Sequence, residues 1–291
     1  MRALAFALLL AGAAHAQPFP LAPAPGTSLS VTTSLAADGE FTITDSQGTE
    51  LANGYFWYGR LSVDAQLALS DGVHLIATLP VVRDWISADG DLGGSVTEVA
   101  NPYVGVSVRE VASEVASLDV EAGVWLPLLG SDSPFPALQT FAGFATDRPT
   151  FEAYQPRNVA ARLLVRGTAA LTEAVTVRAD LAPTFAYYTG ETSVETGSGQ
   201  VVEFPRTNVA FTSSAFADIE AGPTTITAGT TGRFEPGGGS FDYLDDLFLD
   251  AFGAVTLETL PVRPSLHLRV PMRGSSVSDA AIGVTLGVPL R

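Results

Sequence analysis

Apolar and polar residues alternate with a period of two through most of the chain. Between residues 61 and 70, one side of an extended chain carries only apolar side chains, and the other side includes Ser62, Asp64 and Gln66. The same alternation recurs over residues 73–81, 159–171, 175–185 and 282–288. Because successive side chains of a β-strand point to opposite faces, this pattern predicts strands with one apolar and one polar face.

Twelve strands are predicted from runs of this kind. They lie near residues 28–36, 55–70, 72–87, 101–111, 115–129, 158–172, 174–190, 208–221, 224–235, 244–258, 262–272 and 279–290. Strands of soluble proteins are usually about five or six residues long, whereas a tilted strand needs about nine to eleven to cross a bilayer. The length of the runs and their even number are typical of a bacterial membrane barrel.

The predicted connections alternate between short and long. The short ones lie at residues 70–72, 113–114, 172–173, 221–223 and 259–261, and the long ones at 37–54, 88–100, 130–157, 191–207, 236–243 and 273–278. A barrel in the outer membrane has short periplasmic turns at one rim and longer extracellular loops at the other. The sequence therefore predicts an all-β fold, an antiparallel transmembrane β-barrel of about 12 strands with both termini at the periplasmic rim. A secreted β-sandwich is the alternative.

Aromatic residues are concentrated near the ends of strands that meet long connections. They are Tyr55, Phe56, Trp57, Tyr58, Trp85, Tyr103, Tyr187, Tyr188, Phe211, Phe234 and Phe248. Aromatic side chains at a membrane interface form the girdle of a membrane barrel. Their general preference for strands is the simpler explanation, but it does not account for clustering at one end.

The first residues have the features of an export signal. Arg2 precedes an apolar stretch over residues 3–13, and Ala14-His15-Ala16 matches a cleavage site. We expect a signal peptide over residues 1–16 that is cleaved after Ala16, a proline-rich periplasmic lead-in over 17–27, and an outer-membrane barrel over 28–291. The chain has no cysteine, which excludes disulfides, thiolate metal sites and the lipid anchor of a lipoprotein.

The charge balance is strongly acidic, with 31 Asp and Glu against 15 Lys and Arg. A nucleic-acid partner is not expected, because phosphate binding requires a basic surface. Acidic outer loops would favour cations or neutral solutes. Beyond the leader, no segment is apolar enough for a membrane helix, so a membrane location requires a closed barrel. The expected partners are outer-membrane lipid, a small solute and the barrel-assembly machinery.

Two hairpins resemble a known group of transporters. The stretches are "RLSVDAQLALSDGVHLIATLPVV" from Arg60 and "RLLVRGTAALTEAVTVRADLAP" from Arg162. They are similar to the strand–turn–strand pattern of bacterial outer-membrane transporters of phenol and aromatic degradation pathways. The resemblance implies passage of hydrophobic or aromatic compounds. The C-terminus departs from the usual barrel-assembly signal, because Ala281 replaces a polar residue and the chain ends in Arg291.

Charged residues on the polar strand faces are expected to line the lumen, because a charge facing lipid at mid-bilayer costs about 2–4 kcal/mol. The predicted lumen residues are Asp64, Arg109, Asp119, Glu121, Arg162, Arg166, Arg178, Asp180, Asp218, Arg233, Asp250, Arg263 and Arg269. These Arg and acidic side chains could select solutes by setting an electric field across the lumen. Alternatively, they could brace a narrow barrel through paired hydrogen bonds. Both interpretations are open.

The longest loop, over residues 130–157, is unusually apolar. Its candidate gate or cap residues are Phe135, Leu138, Phe141, Phe144, Phe151 and Tyr154. One interpretation is an inward-folded plug or a capture patch for a hydrophobic solute, and the other is a self-packed cap over the barrel mouth. Either arrangement would control access to the lumen.

Candidate catalytic and metal-binding residues are few. Ser265 and His267 share one strand face, but no third orienting group accompanies them as a nucleophilic site requires. Acidic residues 89–98 lack the closing Glu of a calcium loop, because Ala100 stands there. A second acidic cluster, around Asp250, suits a solvated rim better than a divalent-ion site. No catalytic residues, metal or cofactor are predicted.

The sequence therefore predicts a channel or transporter for small solutes in the outer membrane, and not an enzyme. One alternative is a closed barrel with a structural role or with loops that bind a partner. A second alternative is an outer-membrane enzyme that modifies lipid.

Overall fold

The computed structural model of the protein describes residues 26–44, 50–88, 94–113, 115–129, 148–190, 193–195, 201–203, 206–236, 247–273 and 280–290. The strands are β1 (Ser28–Thr44), β2 (Glu50–Ser70), β3 (Val73–Ala88), β4 (Gly94–Val99), β5 (Tyr103–Ser113), β6 (Ala116–Trp125), β7 (Asn158–Ala170), β8 (Val175–Tyr188), β9 (Ser193–Glu195), β10 (Val201–Glu203), β11 (Thr207–Ala221), β12 (Thr224–Phe234), β13 (Leu247–Leu257), β14 (Arg263–Arg273) and β15 (Ala280–Pro289). A short 3-10 helix spans Arg148–Tyr154. The expected signal peptide lies outside the described residues and stays a prediction.

Twelve antiparallel strands form a closed barrel. Closure occurs at β1, because Ser28 lies opposite Pro289 of β15 on one side and opposite Gln66 of β2 on the other. β4 and β5 follow each other along β3 and count as one barrel strand. β9 and β10 form a separate hairpin. The predicted fold class is confirmed.

The two faces of the wall differ as the alternation predicts. Apolar side chains such as Leu67, Leu181 and Ile282 are about half exposed on the outer surface, whereas Ser62 and Asp64 are fully buried on the inner surface. A lipid-facing apolar exterior and a polar interior are the arrangement of a membrane barrel. No helix among the described residues is long and apolar enough to cross a membrane.

Short turns join the strands at one rim. Gly72 and Gly222 lie in two of these turns with φ angles of 76° and 63°, a left-handed conformation that glycine adopts without a Cβ clash. The first and last barrel strands begin and end at this same rim, because Ser28 pairs with Pro289.

Three predicted loops contain strand. β1 and β2 extend as a long hairpin through most of residues 37–54, β4 occupies part of 88–100, and β9 and β10 occupy part of 191–207. These loop predictions were wrong in extent. The pairing of β1 with β2 continues to Thr44 and Glu50, beyond the length that a bilayer needs.

The predicted aromatic girdle is only partly correct. The exposed outer group includes Tyr55, Trp57, Tyr187, Phe211 and Phe234. The buried group comprises Tyr58, Tyr103 and Phe248. Neighbouring aromatic residues cannot all face lipid, because each step along a strand reverses the side-chain direction.

Candidate functional site

Ion pairs between neighbouring strands line the barrel interior. Arg109 binds both carboxylate oxygens of Asp119 at 2.7 and 3.0 Å, across β5 and β6. Arg166 binds Asp180 at 2.8 and 3.1 Å, across β7 and β8. Such two-point pairs hold adjacent strands in register, which supports the bracing interpretation for this part of the wall.

A deeper pair is still more enclosed. Arg178 donates to Asp218 at 2.6 and 3.0 Å, across β8 and β11, and Thr227 of β12 donates to the same carboxylate at 2.6 Å. Arg178 and Asp218 are both buried. Three strands are therefore joined at one carboxylate.

The predicted lumen residues fall into three groups. The buried group is Asp64, Glu121, Arg178, Asp218, Arg233, Asp250 and Arg269. The partly exposed group is Arg109, Asp119, Arg162, Arg166 and Asp180. Arg263 stands apart, because it pairs with Glu258 at 3.1 Å beside the short turn after β13, and both side chains are about one-third exposed.

Residues 148–157, termed the lumen segment, cross the barrel interior. Glu152 accepts a hydrogen bond from Arg233 of β12 at 2.7 Å, while Arg60 of β2 lies 5.9 Å above the Tyr154 ring. At least four strands separate β2 from β12 in either direction around the barrel. A segment that contacts both walls therefore lies within the lumen.

Asn101 holds the lumen segment to the wall. Its side-chain amide donates to the carbonyls of Glu152 and Gln155 at 3.2 and 2.7 Å, and its side-chain oxygen accepts from the amide of Leu129 at 2.8 Å. Its own backbone amide donates to the carbonyl of Ala153 at 2.7 Å. Asn101 is completely buried, at 0% exposure.

The segment leaves the lumen through a strained residue. Arg157 has a φ of 53°, a left-handed conformation that costs energy in a residue with a Cβ. The carbonyl of Arg157 accepts from both the backbone amide and the hydroxyl of Thr189, at 2.8 and 2.7 Å. These bonds fix the point at which the chain turns back into β7.

An apolar layer surrounds the lumen segment. Its members are Ala36, Tyr58, Val82, Ala100, Tyr103, Trp125, Ala153, Tyr154, Ala160, Ala186 and Ala281. They come from strands around the barrel and from the segment itself, and Tyr154 is 0% exposed. Five of the nine wall members are alanine, and Ala153 and Tyr154 of the segment are buried in the same cluster.

A charged and aromatic cluster lies beside this layer. Arg162 and the Tyr103 hydroxyl both donate to Glu121 Oε1 at 2.6 Å. The Arg162 guanidinium lies 4.8 Å from the Tyr103 ring centre and 5.0 Å from that of Trp125. Contacts of a cation with aromatic faces are favourable when desolvated, so this cluster stiffens the wall next to the segment.

Two carboxylates meet at Arg233. Besides Glu152, Arg233 binds Glu235 Oε1 at 2.6 Å, and Asn208 donates to Glu235 Oε2 at 3.0 Å. Burial raises the pKa of the Glu235 carboxyl, but the Arg233 guanidinium and the Asn208 amide lower it further, so the net pKa lies below its ordinary value. Glu235 is thus held as a carboxylate.

The candidate gate residues are only partly described. Phe135, Leu138, Phe141 and Phe144 lie outside the described residues, as does the side chain of Phe151. Tyr154 is fully buried and belongs to the apolar layer. The described part of the loop, residues 148–157, lies inside the barrel, and the choice between a plug and a cap stays a prediction.

Four residues of the site are not among those predicted from the sequence: Asn101, Trp125, Glu152 and Glu235. Trp125 could have been found from its inward parity on β6. Glu235 and Asn101 keep the inward parity of Arg233 and Tyr103 and could have been found in the same way. Glu152 sits in a connection, where side-chain direction follows no period. Only the path of the chain brings them together.

Ser265 and His267 have separate partners in the lumen. The Ser265 hydroxyl bonds to Thr256 at 3.0 Å, and His267 Nε2 lies 3.3 Å from the Ser34 hydroxyl. Both residues are buried inside the barrel, away from the lipid face. Within the described residues, no group of three or more His, Cys, Asp or Glu side chains is placed to hold a metal.

Comparison with solved structures identifies similar folds. An outer-membrane channel from Pseudomonas putida F1 matches with a TM-score of 0.58 and 12% identity, over 94% of this chain and 99% of that one. The NanC porin matches with a TM-score of 0.48 and 8% identity, over 90% and 99%. No protein-family model and no curated protein matches the sequence. The chain therefore has the fold of a bacterial outer-membrane β-barrel.

Proposed function

We propose that the protein is a channel of the outer membrane for small solutes, with the lumen segment as its occluding element. One observation carries this proposal. Residues 148–157 lie inside the lumen, and Ala153 and Tyr154 share one buried apolar cluster with Ala36, Ala160, Ala186 and Ala281 of the wall. A barrel with a purely structural role could close its lumen with large wall side chains and would need no inserted segment.

The solute is proposed to be small and at least partly apolar. Displacement of the segment would leave a chamber lined by Tyr58, Tyr103 and Trp125 beside the alanine positions. Binding sites for small molecules are usually apolar, with a few placed polar groups. The resemblance of the hairpins to transporters of aromatic degradation pathways supports the same class.

Flux measurements test the channel. The purified protein is inserted into liposomes, and the entry of small sugars and small apolar alcohols is compared with protein-free vesicles. A variant in which residues 150–155 are replaced by glycine and serine serves as the open form. We expect slow flux with the natural chain and faster flux with the variant.

The same experiment addresses the alternative of a closed barrel. If neither protein passes any solute, although both show heat-modifiable gel migration, the channel proposal is wrong. Heat-modifiable migration reports a folded barrel, so it separates a lack of flux from a failure to fold.

A further inference from the structure

Glu152 is the less satisfied of the two carboxylates at Arg233. Glu235 uses both oxygens, one with Arg233 and the other with Asn208. Glu152 uses Oε1 with Arg233, while its Oε2 is buried and has no hydrogen-bond partner among the described residues. A buried acceptor without a partner costs about 1–3 kcal/mol. The contact of Glu152 is therefore weaker than the two-point pairs elsewhere in the lumen.

Arg233 is fixed to the wall independently of the lumen segment. It belongs to β12, and its Nε donates to Glu235, which Asn208 holds in turn. Glu235 Oε1 also lies 2.6 Å from Nη2, so both carboxylates share this nitrogen. If Glu152 withdrew, the guanidinium would keep this wall partner, and its Nη2 edge would lose the second carboxylate that it now contacts. That edge is suited to a carboxylate.

The apolar layer begins at Ala153, directly after Glu152 in the lumen segment. Tyr154 follows Glu152 by two residues and packs among Tyr58, Tyr103 and Trp125. The lumen segment thus places one carboxylate on Arg233 and, two residues further along, one apolar ring that lies toward the opposite wall. A small solute that carries a carboxylate on an apolar body presents the same two groups.

From these contacts we infer that Arg233 and the apolar layer form a binding site for small organic carboxylates, which Glu152 and Tyr154 occupy in the present state. A solute carboxylate replaces Glu152 on Arg233, its apolar body replaces the Tyr154 ring, and the released segment opens the lumen. No bond is made or broken in this exchange. The inference rests on the proposed channel function and names its solute class.

The acidic surface of the protein opposes the approach of anions. With a net charge of −16, it slows their arrival, although salt screens this effect. The preference of Arg233 for a carboxylate acts only after the solute has entered the lumen. It is therefore best measured as an equilibrium affinity.

Calorimetric titration of the folded full chain in detergent tests the site. The probe is cyclohexanecarboxylate, and its carboxamide is the uncharged control. We expect the carboxylate to bind about tenfold or more tightly than the amide, because a charged hydrogen bond to Arg233 is lost in the amide. Equal affinities for the two compounds would overturn the inference.

Variants identify the competing group. Glu152→Gln should bind the carboxylate about tenfold more tightly than the natural chain, since the neutral side chain competes less well for Arg233. Arg233→Gln should lose this binding. Glu258→Gln, which alters the rim pair with Arg263, should leave the affinity unchanged. An unchanged affinity in Glu152→Gln overturns the inference even if Arg233→Gln does not fold.

Conductance separates the inference from the proposed function. In planar bilayers, the Glu152→Gln protein should be open more often than the natural chain. A channel that conducts but shows no preference for the carboxylate contradicts only the carboxylate site. If every folded variant fails to conduct, the channel function itself is wrong.

Discussion

Replacement of Asn101 by alanine should release the lumen segment. The change removes two hydrogen bonds to the lumen segment, from the side-chain amide to the carbonyls of Glu152 and Gln155. It also removes the bond that the side-chain oxygen accepts from the Leu129 amide, which lies outside the segment. It retains the backbone bond from residue 101 to the carbonyl of Ala153. Each buried hydrogen bond contributes about 0.5–1.5 kcal/mol net, so the two together stabilise the inserted state by about 2 kcal/mol. This corresponds to about a thirtyfold shift towards the released state.

Flux of a small neutral solute into liposomes measures this shift. The Asn101→Ala protein should pass solute faster by up to that factor, because flux is proportional to the fraction of open barrels. Thr256→Val is the matched control. It removes a single lumen hydrogen bond, to Ser265 at 3.0 Å, without touching the segment.

A folded Asn101→Ala protein whose flux equals that of the natural chain would show that Asn101 does not hold the lumen segment in place. Heat-modifiable migration and thermal stability establish that the variant is folded. If Thr256→Val raises flux to the same extent, the effect arises from general loosening of the barrel and not from the segment.

Three further predictions concern stability. Arg178→Ala should lower the free energy of unfolding by about 3–5 kcal/mol in urea, because it leaves the Asp218 carboxylate buried without its cation, whereas Arg263→Ala at the rim should cost less than about 1 kcal/mol. Equal losses of unfolding free energy in the two variants would contradict the difference in burial between the Arg178 and Arg263 ion pairs. Leu163→Arg, on the lipid face near the middle of β7, should cost about 2–4 kcal/mol in lipid vesicles, and a neutral effect would mean that this face does not meet lipid. Folding lowers the pKa of Glu235, so its carboxylate stabilises the folded protein. The whole of this stabilisation is present above the pKa that the carboxyl has in the unfolded chain, and it is lost as the pH falls through the lower pKa of the folded protein. Glu235→Gln should therefore flatten the Tm profile below about pH 5, and a profile that keeps its acid slope would count against the Arg233 contact.

Most of the barrel strands were predictable because the alternation of apolar and polar residues depends only on neighbouring positions in the chain. A period of two specifies both the strand and the face of each side chain, so the inward position of Asp64 and the outward position of Leu67 follow from the chain itself. The extensions of β1 and β2 were missed because a limit set by membrane thickness was applied to strands that continue beyond it.

Pairing partners were less predictable than faces. Parity places Arg178 on the inner face, but it does not say whether Asp180, Asp218 or another acid binds it. The contact with Asp218 joins residues 40 positions apart and depends on the register between β8 and β11. A shift of that register would change the partner without changing the alternation of either strand.

By itself, the sequence determined the strands, the two faces of the wall and the rim at which the chain begins, since each depends on residues close together in the chain. Only the tertiary structure decided that residues 148–157 enter the lumen, that Asn101 holds them and that Glu152 meets Arg233. These contacts join opposite walls. They exist only after the barrel has closed, and no local period encodes the path of a loop across its interior.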